Sequence, residues 1–269
     1  MKKLHYLLLV ILSAPALADP SMTQQYETLR QGYYQFDPHA YKSFTCHVSA
    51  STVNASVAYV KQILLGHEGS LQLKEDVDSY SLTVDPDKGL SIHNPIMDIT
   101  MLSEEGLADP AQVKQGIAEM KAGFDKQVQG VDQMISGLFN EYMDTTPELT
   151  SVTHDGKKWI VRYRLGGVDT TDTIDGRRTH QEANINGTSI VSDADYAPLP
   201  GGKLTVQGSK TRMTQGPQHF DSSMSVTYQK LGSLQVPATM VNKITLNMPG
   251  VAQSTASTTI AFQNCKIVN

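Results

Sequence analysis

QGIAEMKAGFDKQVQGVDQMISGLF, Gln115 to Phe139, separates a mixed first half of the chain from a strand-rich second half. Val113, Ile117, Met120, Phe124, Val128, Val131, Ile135, Leu138 and Tyr142 recur through and beyond it with a mean step of about 3.6, the period of one face of a straight helix. Asp109-Pro110 supplies an aspartate cap and a proline at the first helical position. The spacing therefore predicts one long amphipathic helix from about 110 to 143, roughly 50 Å long at 1.5 Å per residue. Glycine stands at Gly116, Gly123, Gly130 and Gly137, and each costs about 1 kcal/mol against alanine in a helix interior. At 100° per residue these glycines flank the apolar stripe. They are tolerated semi-exposed positions, or sites of close backbone approach that a Cβ would block, or the mark of a helix kept weak enough to bend along a sheet or move off it.

On the N-terminal side, Met22, Tyr26, Leu29 and Tyr33 share a face behind Ser21 and predict a short helix. SFTCHVSA alternates, with Phe44, Cys46, Val48 and Ala50 on one side of a strand. Val53, Val57, Val60 and Leu64 return to helical spacing, with Ser51 or Thr52 as the cap and Gly66 as the stop. Tyr80, Leu82 and Val84 alternate again, and DPDKG turns that strand back towards Leu90 to Ile92.

From Pro147 onward only strand logic is visible. A hairpin forms about His154-Asp155-Gly156, with Trp159, Val161, Tyr163 and Leu165 alternating on its second arm. Asn186-Gly187, Pro200-Gly201-Gly202, Gly216-Pro217 and Gly232 punctuate a meander of long antiparallel strands that ends near Ser257 to Val268. The reading is a single α+β domain over residues 19–269, built on a large antiparallel sheet.

MKKLHYLLLVILSAPALA has two lysines, a short apolar run and an Ala-Leu-Ala cleavage site, the layout of a secretory signal peptide over residues 1–18. No later run is long enough for a membrane span. Asp19 rather than cysteine follows the cut, so no acyl anchor is expected. Removing Lys2 and Lys3 takes the formal charge from −5 to −7, which gives no electrostatic case for nucleic acid. Cys46 and Cys265 are the two cysteines. In an exported chain they read most simply as one disulfide, with two buried thiols as the other reading.

Catalytic signatures are missing: there is no GxSxG, no HExxH and no glycine-rich phosphate loop, and no cysteine pair at ligand spacing. The expectation is a non-enzymatic protein without cofactor or metal. Asp85-x-Asp87 reads as a turn rather than a calcium loop. Asp169, Asp172 and Asp175 in VDTTDTIDG could hold a cation but read as a solvated loop.

VTYQKLGSLQVPATMVNKITLNM, Val226 to Met248, and the terminal STTIAFQNCKIVN resemble the closing strands of the periplasmic lipoprotein-localisation carriers of the LolA/LolB type. Gly232, Pro237 and Asn269 stand where those proteins have a G…P strand pair and a terminal asparagine. The resemblance implies a large curved antiparallel sheet, an unclosed half-barrel, with helices on its concave face and an apolar cavity for acyl chains. Methionines at Met97, Met101, Met120, Met134 and Met143 suit a variable apolar guest. The expected function is a periplasmic carrier or sensor that binds a lipid or the acyl chain of a lipoprotein. Phe124, Val128, Val131, Ile135 and Leu138 would form the helix side of its pocket. The alternative is an envelope protein-interaction module with no small-molecule ligand.

Overall fold

The computed structural model describes residues 20–33, 43–67, 69–105, 107–140, 148–250 and 252–268. The expected signal peptide, Tyr142, Met143 and Asn269 lie outside these residues. Among the described residues three helices, α1 (Pro20–Arg30), α2 (Ser51–Leu64) and α3 (Pro110–Asn140), accompany fourteen strands. In the first half these are β1 (Ser43–Ala50), β2 (Leu71–Asp76), β3 (Ser81–Asp85), β4 (Gly89–His93) and β5 (Ile96–Met101). After α3 come β6 (Glu148–His154), β7 (Trp159–Leu165), β8 (Val168–Asp175), β9 (Arg178–Ile185) and β10 (Thr188–Pro198). Four long strands finish the chain: β11 (Leu204–Gln215), β12 (Gln218–Leu231), β13 (Leu234–Asn247) and β14 (Ser254–Val268).

Twelve strands form one sheet in the order β4-β3-β1-β14-β13-β12-β11-β10-β9-β8-β7-β6, while β2 and β5 pair separately. The sheet is antiparallel, curved and unclosed, a half-barrel with the helices packed on its concave face. From β6 to β14 the chain is a continuous meander, because each connection is short and rich in residues that accept positive φ. At the β9–β10 turn Asn186 and Gly187 have φ of 51° and 82°, the backbone demanded by the tight turns whose twist matches the flanking strands.

The first strand lies beside the last. Val48 is opposite Phe262 and Ala50 opposite Ile260, and a bulge between Thr45 and His47 aligns the two cysteines. Cys46 and Cys265 form a disulfide across this pair, 219 residues apart in sequence. Closing so long a loop removes on the order of 5 kcal/mol of chain entropy from the unfolded state.

Two apolar clusters hold the helices down. The larger joins α2, α3, β1, β3, β13 and β14 around Phe44, Val48, Tyr80, Ile135, Met240 and Ile260. The smaller sits at the other end of the sheet, where Tyr26 and Leu29 of α1 pack on Leu149, Val152, Val161, Tyr163 and Ile174.

Two local expectations are corrected. Neither Ser51 nor Thr52 caps α2: Ala50 is its N-cap residue, without a side-chain cap, and the Ser51 hydroxyl instead accepts from the Thr259 amide at 2.9 Å. VDTTDTIDG is no solvated loop but strand β8, pinned on both sides by β7 and β9. Thr170, Asp172 and Ile174 face inward while Asp169, Thr171, Thr173 and Asp175 face outward, which gives it the half-buried pattern of a strand.

Candidate functional site

Helix α3 places Phe124, Val128, Val131, Ile135 and Leu138 on one face, all buried, with Ile135 fully so. Phe139 extends the stripe and wedges between Phe44 of β1 and Phe262 of β14, with ring centroids 6.2 and 5.8 Å away. These side chains fill the space between α3 and the β1 to β14 region. Polar contacts help to fix the helix in register. The Tyr80 hydroxyl donates to Asp132 Oδ1 at 2.7 Å, and burial together with that carboxylate pushes the Tyr80 phenol well above its ordinary value. The Asn242 amide reaches Met134 Sδ at 3.2 Å.

The four glycines face no neighbour. A Cβ built on Gly116, Gly123, Gly130 or Gly137 would meet no atom within 4 Å. Close backbone approach is therefore not their role, and a tolerated or deliberately weak helix remains.

Between the two clusters the concave face is open among the described residues. Directly opposed residues of an antiparallel pair share a face, so the register links Ala183, Ile190, Met213, Phe220 and Leu246 into one apolar row across β9 to β13. Leu246 and Met240 are separated by an even number of residues, which puts this row on the same side as the core. At about 4.8 Å per strand the row runs roughly 19 Å. Met213 and Leu246 are each 37% exposed, and Ile185, on the same face of β9, is 40% exposed. Among the described residues α1 contacts β6, whereas α2 and α3 contact β1, β4 and β14, so neither group covers the centre of this row.

The adjacent row is polar and internally satisfied. Ser192 and Thr211 exchange a hydroxyl bond at 2.9 Å, and the Ser222 hydroxyl donates to Asn242 Oδ1 at 2.8 Å. At its β8 end, Asp172 accepts from the Tyr163 hydroxyl at 3.2 Å and from Gln181 Nε2 at 3.1 Å, and burial raises its carboxyl above the usual range. Of the three aspartates singled out in the sequence, Asp172 alone faces inward. Asp169 and Asp175 are an odd number of residues away, point outward, and pair with Arg164 and Lys158. No group of His, Cys, Asp or Glu able to hold a metal ion exists among the described residues.

The opposite face of the sheet carries a cleft of about 630 Å³ over β10 to β13, lined by Val191, Lys210, Arg212, Ser223, Lys243 and Thr245 among others. Sequence reading missed it because its residues are spread from Val191 to Thr245 over four strands and meet only through strand register. Arg212 grips Asp221 through Nε to Oδ1 at 2.6 Å and Nη2 to Oδ2 at 3.2 Å, which holds the Asp221 carboxyl below its ordinary value. At the β9 side, His180 is held by Asp193 through Nδ1 at 2.7 Å and by Glu182 through Nε2 at 3.2 Å, and these bonds raise its pKa.

No helix among the described residues is long and apolar enough to cross a membrane. No family model, no curated protein and no solved structure matches this chain.

Proposed function

We propose that this chain is an exported, non-enzymatic binding protein of the periplasm that holds the acyl chain of a lipid or lipoprotein against the concave face of its half-barrel. The observation that carries the reading is the apolar row Ala183, Ile190, Met213, Phe220 and Leu246, which no described helix covers. Half-exposed apolar side chains gathered along about 19 Å of a concave surface are what an extended acyl chain needs. The resemblance of the closing strands to the lipoprotein-localisation carriers and the disulfide of an oxidising compartment support the same conclusion. Burial of about ten methylenes would contribute about 8 kcal/mol without directional chemistry, and association and ordering costs leave the affinity weaker than the micromolar value that about 8 kcal/mol net would give. Phe124, Val128, Val131, Ile135 and Leu138 form the adjoining wall, which a guest reaches only when α3 lifts.

The test is native mass spectrometry of the mature protein purified from the periplasm, followed by titration with a fluorescent fatty acid. A released lipid, and probe binding that weakens at least tenfold in Phe220→Asp and Met213→Asp with unchanged circular dichroism, is the expected result. Absence of both lipid and probe binding would overturn the reading. A protein co-purifying in stoichiometric amount with the concave face empty would move the assignment to the envelope interaction module.

A further inference from the structure

We infer that the cleft on the face of the sheet opposite the helices is a second binding site, one for a phosphate group. Strand register puts Lys210 and Lys243 on either side of Ser223, each directly opposite it in its own antiparallel pair. The two lysine backbones stand about 10 Å apart, so both ammonium groups can reach a single anion above the Ser223 hydroxyl. Thr245 adds a second hydroxyl at the margin, and the cleft volume of about 630 Å³ suits a small organic molecule.

The charge pattern of this face singles out the two lysines. Its other cations are mostly neutralised across strands: Arg164 by Asp169, Arg178 by Asp195, and Arg212 by Asp221. Lys210 stands opposite Asp193, but that carboxylate is bound by His180, and neither Lys210 nor Lys243 makes an ion pair among the described residues. The cleft thus holds Lys210, Arg212 and Lys243 against Asp193 and Asp221, two carboxylates already engaged by His180 and Arg212, in a chain whose formal charge is −5. A local excess of cations on an acidic protein attracts an anion by short-range contact rather than by the overall field.

The donors favour phosphate over carboxylate. A carboxylate is best matched by a planar guanidinium fork, and the one fork in the cleft is already occupied by Asp221. Two lysines and a hydroxyl approaching from separate directions instead suit a tetrahedral anion. The phosphate can belong to a soluble ester or to a lipid headgroup, and the site does not depend on the acyl-binding reading of the concave face.

The test uses the full mature chain. Inorganic phosphate is titrated calorimetrically at constant ionic strength into the wild type, into Lys210→Gln/Lys243→Gln, and into Lys203→Gln/Lys230→Gln as a control outside the cleft. Saturable binding, weakened at least tenfold in the cleft variant and unchanged in the control, is expected. Each single glutamine substitution should give a smaller loss in the same direction, which keeps the result interpretable if the double variant folds poorly. No saturable binding by the wild type, or equal weakening in the control, would overturn the proposal. Glycerol 3-phosphate and phosphatidylcholine vesicles with or without phosphatidic acid then distinguish the sources: binding of the ester alone assigns a soluble ligand, and selective association with phosphatidic acid assigns a headgroup.

Discussion

Replacing Gly116, Gly123, Gly130 and Gly137 together by alanine should make this protein markedly more stable. All four lie inside α3, and the space where each Cβ would go is empty to 4 Å, so the added methyl groups meet no steric opposition. None of the four has positive φ, so alanine keeps the native backbone. Each substitution then removes unfolded-state freedom worth about 0.5–1 kcal/mol. Seven-residue spacing puts the sites about 10 Å apart along the axis, far enough for near-additive effects. The sum is about 2–4 kcal/mol, or roughly 4–16 °C in Tm for a domain near this size. Urea unfolding followed by circular dichroism reads the change directly, with the slope against denaturant unchanged if the folded and unfolded states bury the same surface. A variant no more stable than the wild type would refute the reasoning, since it would mean that α3 does not unfold with the rest of the chain or that the glycines meet neighbours. Amide exchange separates these two cases: low protection across α3 in the wild type identifies a helix that opens on its own.

Two further outcomes follow from the same geometry. Ile135→Ala removes a fully buried side chain from the seam between α3 and the sheet, and should cost about 2–5 kcal/mol in urea unfolding; a loss below about 1 kcal/mol would show that this seam is loosely packed. His180 has its folded pKa raised by Asp193 and Glu182, with Thr173 of β8 as its uncharged cross-strand neighbour. Its contribution to stability is therefore fully present below the unfolded value of about 6.5 and is lost as pH rises through the folded pKa. Unfolding of wild type and His180→Gln from acid to alkaline pH should give curves that converge as pH rises, and convergence on the acid side instead would refute the assignment.

Much of the architecture is legible because burial alternates where strands form. Phe44, Cys46, Val48 and Ala50 in β1 are buried in strict alternation with half-buried neighbours, and the 3.6-residue stripe of α3 is buried from Phe124 to Leu138. Turn residues marked most hairpins of the meander for the same local reason. What was not legible depends on register. Nothing near Ile190 in sequence says that Met213, Phe220 and Leu246 continue its row, and nothing near Lys210 points to Lys243. Strand β8 was misread because its aspartates suggested solvent. Two of the three do face solvent, but the third is satisfied by Tyr163 and Gln181, partners that only pairing with β7 and β9 supplies. The separate pairing of β2 with β5 was likewise hidden, since Leu71–Asp76 and Ile96–Met101 flank the β3–β4 hairpin rather than each other.

The length and the stripe of α3 have a cause that its glycines do not share. Its 31 residues span about 46 Å. The helix runs from β5, where Lys121 pairs with Asp98, to the β1–β14 pair, where Phe139 meets Phe44 and Phe262, so its length is what reaching across the larger apolar cluster requires. The apolar stripe is equally accounted for, because the helix buries that face in the same cluster. Neither requirement calls for glycine, and alanine would serve both better. The surplus weakness of α3 is thus the one property of the helix that the fold leaves over, and the four-alanine variant removes it while leaving the stripe and the open row intact. A variant that gains stability and exchanges a bound fatty acid more slowly would tie the glycines to lifting of α3 over its guest. A variant that gains the same stability with unchanged exchange would place the binding surface wholly on the open row, with α3 as a fixed wall.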